Sequence, residues 1–249
     1  LNKSFSTAGF KMVGNLFEKM NNKDLAVKTY SKAADEVGSS DFFYQKIGDI
    51  NIQNEDPALA YNSYKKALAL SPNNKELLYK VATIAQTYFD NEIDTAIDCY
   101  TKLLEIDDNK EKIYYELGHL YLSKKEVINA ISAFKLALDI NPSNPFYHNA
   151  LAYALVDVEQ FEEAAEHYQF AININPNPEW TSIVCQALGM LKYKVFDDIN
   201  AAMNLYQSAI LLDPLSEEAH IGLGDIFEDY GDTDSAIKAY CDAITINPK

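Results

Sequence analysis

The sequence predicts an all-α fold made by repeating one helical hairpin. Three observations predict it. A helix-stopping residue follows an apolar segment at Pro72, Asp108, Pro142, Pro176, Pro214 and Pro248, at intervals of 36, 34, 34, 38 and 34 residues. Upstream of each stop a small–ring–small triplet recurs at fixed spacing. Further upstream still, each interval carries another small residue. Self-similarity with a period of about 20–50 residues marks a solenoid, in which one hairpin cannot bury its apolar face alone and neighbours cover each other.

The second helix of each unit is the more regular. Its Ala is Ala26, Ala60, Ala96, Ala130, Ala164, Ala202 or Ala236. Four residues on comes a ring: Tyr30, Tyr64, Tyr100, Phe134, Tyr168, Tyr206 or Tyr240. Three further on stand Ala33, Ala67, Leu103, Ala137, Ala171, Ala209 and Ala243. Spacing of i, i+4, i+7 places the three on one stripe of a helix. A small residue beside a large ring suggests a close helix crossing with the ring filling the adjacent gap. The first helix centres on Gly14, Gly48, Ala82, Gly118, Ala152, Gly189 or Gly224, twelve residues before the Ala in five units. That suits two antiparallel helices meeting at small side chains. The trailing Pro ends the second helix because it lacks an N–H and disfavours helix in the residue before it.

At these residues the chain resembles the tetratricopeptide repeat, whose 34 positions run through Leu-Gly, then Ala, a ring, Ala and Pro. The segment "YYELGHLYLSKKEVINAISAFKLALDINP", 114–142, is a nearly full match. The resemblance covers residues 7–249 as units 7–40, 41–74, 75–110, 111–144, 145–178, 179–216 and 217–249, with 1–6 as an N-terminal tail or the end of a preceding element. It implies a right-handed αα superhelical solenoid. The third unit has two extra residues near "TYFDNEI", the sixth about four, mostly near "PNPEWTS", where the single Trp, Trp180, falls. Trp180 reads either as a ligand anchor or as a bulky lid over a local gap.

Composition narrows the function classes. Net charge is −16: residues 1–150 hold 17 Lys against 20 acids, and residues 151–249 hold 4 Lys against 17 acids. Such a surface repels phosphate backbones, which argues against nucleic acid. No uncharged apolar run approaches the roughly 18 residues of a membrane span. The chain opens "LNKSFSTAGF", without Met or an apolar leader, so the expectation is a fragment with any targeting signal outside it. Cys99, Cys185 and Cys241 lie far apart and show neither zinc nor disulfide spacing. A soluble protein in a reducing compartment is compatible with them, the cytoplasm being slightly favoured, but cysteines buried in helices would also survive elsewhere, and the compartment stays open.

Catalytic patterns do not stand out. His119, His148, His167 and His220 form no metal-binding spacing, and "GLGDIF" at 222–227 lacks a third Gly and a preceding strand. His148 and His220 sit where other units place Tyr44 or Tyr114, which reads as packing. The expectation is therefore no enzyme, no metal and no cofactor. The resemblance implies instead that the first helices line a concave groove holding a peptide or protein segment. By position that face includes Lys11 and Asn15, Gln45 and Asp49, Tyr79 and Thr83, Tyr115 and His119, Asn149 and Tyr153, Gln186 and Met190, and finally Asp225, Glu228 and Asp229. Its middle is aromatic and amide-rich. Its C-terminal end is acidic, so a partner basic at that end is expected. Two alternatives stand beside this scaffold: a self-assembling structural module, and the recruiting arm of a larger enzyme.

Overall fold

The computed structural model of the protein describes residues 6–36, 40–174 and 177–247, and every regular element among them is helical. The helices follow one another in chain order as seven helix–turn–helix repeats, numbered here as hairpins 1 to 7: α1 (Thr7–Lys19) then α2 (Lys23–Glu36), α3 (Asp41–Gln53) then α4 (Pro57–Leu70), α5 (Lys75–Tyr88) then α6 (Ile93–Ile106), α7 (Lys110–Ser123) then α8 (Val127–Ile140), α9 (Pro145–Val156) then α10 (Phe161–Ile174), α11 (Pro178–Lys194) then α12 (Ile199–Leu212), and α13 (Glu217–Asp229) then α14 (Thr233–Ile246). The extra residues of the third hairpin form a 3₁₀ turn, Asp90–Glu92. Those of the sixth lengthen α11 to 17 residues, against 14 in α5 and α7. Of the stops expected from sequence, Pro176 and Pro248 lie outside the described residues, as do residues 1–5 of the tail. The chain divides into two compact units, residues 1–120 and 121–249. Within the first unit α1 to α6 pack in chain order, and within the second α8 to α14 do so.

Local chemistry sets the helix ends. Asn74, Asn144 and Asn177 accept a backbone N–H at the start of a first helix, and Asp56, Asp198 and Asp232 do the same for a second helix. Each such cap contributes about 1 kcal/mol. The turn inside a hairpin is nearly invariant in geometry. Asn21, Glu55, Lys125, Glu159 and Gly231 stand in the left-handed region in hairpins 1, 2, 4, 5 and 7, at φ 54° to 73°. The next N–H reaches back five residues each time: Asn22 to Phe17, Asp56 to Asn51, Glu126 to Tyr121, Gln160 to Leu155 and Asp232 to Phe227. This is the Schellman closure, in which orphan carbonyls at the helix end are satisfied by a left-handed residue. In hairpin 6 the turn is one residue wider, with Asp197 left-handed and the Asp198 N–H reaching Lys192.

The core follows the triplet. All seven alanines from Ala26 to Ala236 are buried, as are the rings from Tyr30 to Tyr206 and the small or apolar residues from Ala33 to Ala243. Where the small residue of the first helix is Gly14, Gly48, Gly189 or Gly224, the ring of the same hairpin lies over it. A Cβ built on Gly48 would sit 2.7 Å from Tyr64 Cδ1, and one on Gly224 2.7 Å from Tyr240 Cδ1, both well inside carbon–carbon contact. Glycine is required there because the backbone itself is the packing surface. Gly189 is looser, at 3.1 Å from Tyr206 Cε1.

Candidate functional site

The residue directly after the small one on the first helix belongs to the expected inner face, and in hairpins 1, 2, 3 and 7 it has an internal partner. The Tyr30 hydroxyl shares its one hydrogen between Asn15 Oδ1 at 2.8 Å and Glu18, the Tyr64 hydroxyl donates to Asp49 Oδ1 at 2.7 Å, and the Tyr240 hydroxyl shares its hydrogen between Asp225 Oδ1 and Glu228 Oε2, each at 2.9 Å. In the third hairpin the direction is reversed: burial raises the Tyr100 pKa, and the Thr83 side chain donates to that phenol, lowering the pKa against the larger rise. Burial, and then the carboxylate acceptors, push the Tyr30, Tyr64 and Tyr240 phenols well above their ordinary range. These rings therefore do two things. They fill the gap over a glycine and pin the polar residue next to it.

In the first unit a second set of ties joins one first helix to the next. Lys46 Nζ lies 3.2 Å from Glu18, Lys80 Nζ 2.6 Å from Asp49 and 2.7 Å from Glu76, and the Gln45 amide donates to Glu76 at 2.6 Å. Burial alone would lower the Lys80 pKa, but hydrogen bonds to Asp49 and Glu76 and their charges outweigh it and hold it raised. Lys11 sits 4.1 Å above the Phe42 ring, a cation–π contact. Beside these ties runs an open cleft of about 700 Å³ along α3 and α5, lined by Glu18, Lys46, Asp49, Ile52, Gln53, Tyr64, Tyr79, Lys80, Thr83, Ile84, Thr87 and Tyr88. It brings together three of the expected residues, Asp49, Tyr79 and Thr83. Tyr79 is half-buried, edge-on to Tyr100 at 6.2 Å. Elsewhere in this unit Tyr115 packs edge-on to His119 at 4.5 Å, and burial lowers the His119 pKa against the pull of Glu116. Sequence reasoning missed the cleft's Ile52, Tyr64 and Tyr88 as well as its lysine–acid ties. The usable signal was Lys46 and Lys80, one repeat apart.

In the second unit Tyr153 and Met190 are 58% and 53% exposed on their first helices, and Asn149 is half-buried. Gln186 is committed inward, donating to Ser182 Oγ at 3.2 Å and Ser216 Oγ at 2.8 Å. Asp225, Glu228 and Asp229 share one turn of α13. Asp229 accepts from the Tyr193 hydroxyl, which also meets the Asp225 carbonyl at 3.3 Å. No cation pairs with these three carboxylates among the described residues. Trp180 packs on Phe146, with ring centroids 4.7 Å apart, as a lid over α9 would. His148 is buried, with its Nδ1 2.7 Å from His167 Nδ1 and its Nε2 2.9 Å from the Pro142 carbonyl.

Family models described as tetratricopeptide repeat match residues 43–74, 111–144, 147–178 and 196–249, more than half of the chain. The chain belongs to the tetratricopeptide repeat family. Human tetratricopeptide repeat protein 6 is 29% identical over 197 residues, covering 75% of this chain and 35% of that protein. The Saccharomyces cerevisiae mitochondrial import receptor subunit Tom70 is 26% identical over 235 residues, covering 79% and 38%. The chain thus spans about a third of the length of these two relatives. The C-terminal part of a tetratricopeptide repeat-containing protein from Cytophaga hutchinsonii superposes with a TM-score of 0.73 at 15% identity, covering 96% of both chains, a likeness of fold. As in that fold, the tetratricopeptide hairpins here offer faces and clefts. Among the described residues no three His, Cys, Asp or Glu gather as a metal cage would need, and no helix is long and apolar enough to cross a membrane.

Proposed function

We propose that this chain is a protein-binding scaffold whose first-helix faces take a peptide or protein segment, with no chemical step of its own. The observation that carries the reading is the cleft along α3 and α5, with aromatic and amide tips over apolar side chains. Tyrosine combines apolar area with a polar tip and loses little freedom on binding. Membership of the tetratricopeptide family supports the reading, and so does the relative named as an import receptor subunit. Capture of partners from lysate should drop about tenfold or more when Tyr79, Tyr115 and Tyr153 become Ala, as expected for central interface residues. Leu70→Ala and Leu211→Ala, exposed sites on second helices, serve as controls and should change nothing. Equal loss from both sets would refute the reading.

The unpaired Asp225, Glu228 and Asp229 favour a segment carrying Lys or Arg at that end. Affinity there should fall with salt, since exposed charge pairs are screened. A second reading, stacking of copies, is favoured by exposed apolar rows: Met12 and Leu16 on α1 with Met20 at its C-cap, and Ile237 and Ile244 on α14. Sedimentation over a concentration series decides it; a strictly monomeric chain would remove it.

A further inference from the structure

The cleft of the first unit contains two lysines, and both are already neutralised. Lys46 faces Glu18 from α1, and Lys80 is held between Asp49 of α3 and Glu76 of its own helix, at 3.2, 2.6 and 2.7 Å. Asp49 is fixed in turn by the Tyr64 hydroxyl at 2.7 Å. The rest of the lining is uncharged. Ile52 is 41% and Tyr88 58% exposed. The hydroxyls of Tyr79 and Tyr88 and the Gln53 side-chain amide make no hydrogen bond to protein among the described residues.

We propose that Glu18, Asp49 and Glu76 set the specificity of this cleft. By holding both lysines they make it a receptor for an uncharged, extended polypeptide segment. An apolar side chain of that segment rests on Ile52 and Tyr88, and its backbone amides meet the tips of Tyr79 and Gln53. This rests on the protein-binding reading above and adds the partner's chemistry. A ligand carboxylate reaching Lys80 must displace a carboxylate already 2.6 Å away and shed its own hydration, so one ion pair is exchanged for another with no gain. Three acids face two lysines, so a ligand cation finds one carboxylate charge in excess, but it falls at Glu76, whose side chain is 61% exposed and where an added ion pair contributes little. An uncharged segment leaves every pair intact and gains the apolar contact.

The test uses three synthetic hexapeptides. The neutral one is acetyl-Gly-Ser-Leu-Phe-Ser-Gly-amide. The second replaces both Ser by Asp and ends in a free carboxylate, and the third replaces both Ser by Lys. Each is titrated into the whole chain and into E18Q/D49N/E76Q, reading the ring resonances of Tyr79 and Tyr88 by NMR. The substitutions keep shape, and an Asn carbonyl can still accept from Tyr64. The wild-type chain should bind the neutral peptide about fivefold or more tighter than either charged one. The variant should gain about tenfold for the acidic peptide and change by less than about twofold for the neutral one. E76Q alone, at an exposed site, provides the same comparison with about a threefold gain if the triple variant does not fold. Wild-type preference for a charged peptide, or no gain in a folded variant, overturns the proposal and leaves protein binding standing. No response of Tyr79 and Tyr88 to any peptide overturns both.

Discussion

Gly48→Ala should destabilise the protein although alanine is the better helix former. A methyl at Gly48 would lie 2.7 Å from Tyr64 Cδ1 and 2.8 Å from its Cζ. Carbon atoms sit comfortably at about 3.5 Å or more, so the ring must retreat by about 1 Å. It has little room to do so, because Tyr64 is buried and its hydroxyl is bonded to Asp49, which also holds Lys80. Overpacking costs about 1–3 kcal/mol. Loosening a phenol–carboxylate bond costs up to about 1.5–3 kcal/mol where it breaks outright. Helix propensity returns about 1 kcal/mol. The net expectation is a loss of about 1–3 kcal/mol. Gly189→Ala is the internal control. There the nearest ring atom is 3.1 Å away, a shift of about 0.4 Å suffices, and the propensity gain should leave stability within about 0.5 kcal/mol of wild type. Urea unfolding followed by far-UV circular dichroism reads both. Because stacked repeats need not unfold in one step, midpoints should be compared. A G48A chain as stable as wild type, or a costlier G189A, would refute the packing argument.

The left-handed turns give a second prediction: Glu159→Gly, at φ 59°, should raise stability by about 1 kcal/mol, whereas Glu162→Gly in the first turn of α10 should lower it by a similar amount. Stability should also depend on pH. Burial first, then the charge of His148 and of Lys135 from α8, opposed by Glu163 and Glu166, lower the His167 pKa. The unfolded chain therefore binds that proton more readily. The stabilisation is complete above the ordinary histidine value of about 6.5 and is lost as pH falls from there through the lowered folded value. His167→Gln should flatten the urea-midpoint profile across that window, with the residue of the slope coming from His119, which burial lowers likewise. An unchanged profile would contradict the assignment. Burial pushes the Cys99 and Cys185 thiols up to about 11, while Cys241 is exposed. A disulfide reagent should label one thiol per chain quickly, and Cys241→Ser should abolish that phase. Two fast thiols would show that a buried one opens readily.

The hairpin register was legible because the Ala–ring–small triplet repeats at helical spacing and buries one stripe in every unit, from Ala26 to Ala243. The turns were not. Five adopt one closure, yet only Gly231 and Asn21 are residue types that announce a left-handed turn; Glu55, Lys125 and Glu159 adopt it under the constraint of the hairpin. The first-helix positions could be counted from the sequence, but their hydrogen bonds could not. Asn15, Asp49 and Asp225 could be placed on the first helices by counting. That each accepts a hydroxyl hydrogen from a ring fifteen residues on depends on how a phenol crosses the glycine beside it, a distance no spacing rule states. The pairing of Lys80 with Asp49, 31 residues away, needs the stacking of neighbouring hairpins, which no count along one helix supplies. The extra residues before Trp180 were visible, but their use in lengthening α11 was not.

Photo-crosslinking tests the protein-binding account most directly. A benzoyl-phenylalanine placed singly at Tyr88, Tyr153, Leu70 or Leu211 samples exposed first-helix and second-helix positions in the same chain. The account predicts partner adducts from Tyr88 or Tyr153 and none from the other two. Adducts at Leu70 or Leu211, with neither first-helix position reacting, would contradict it.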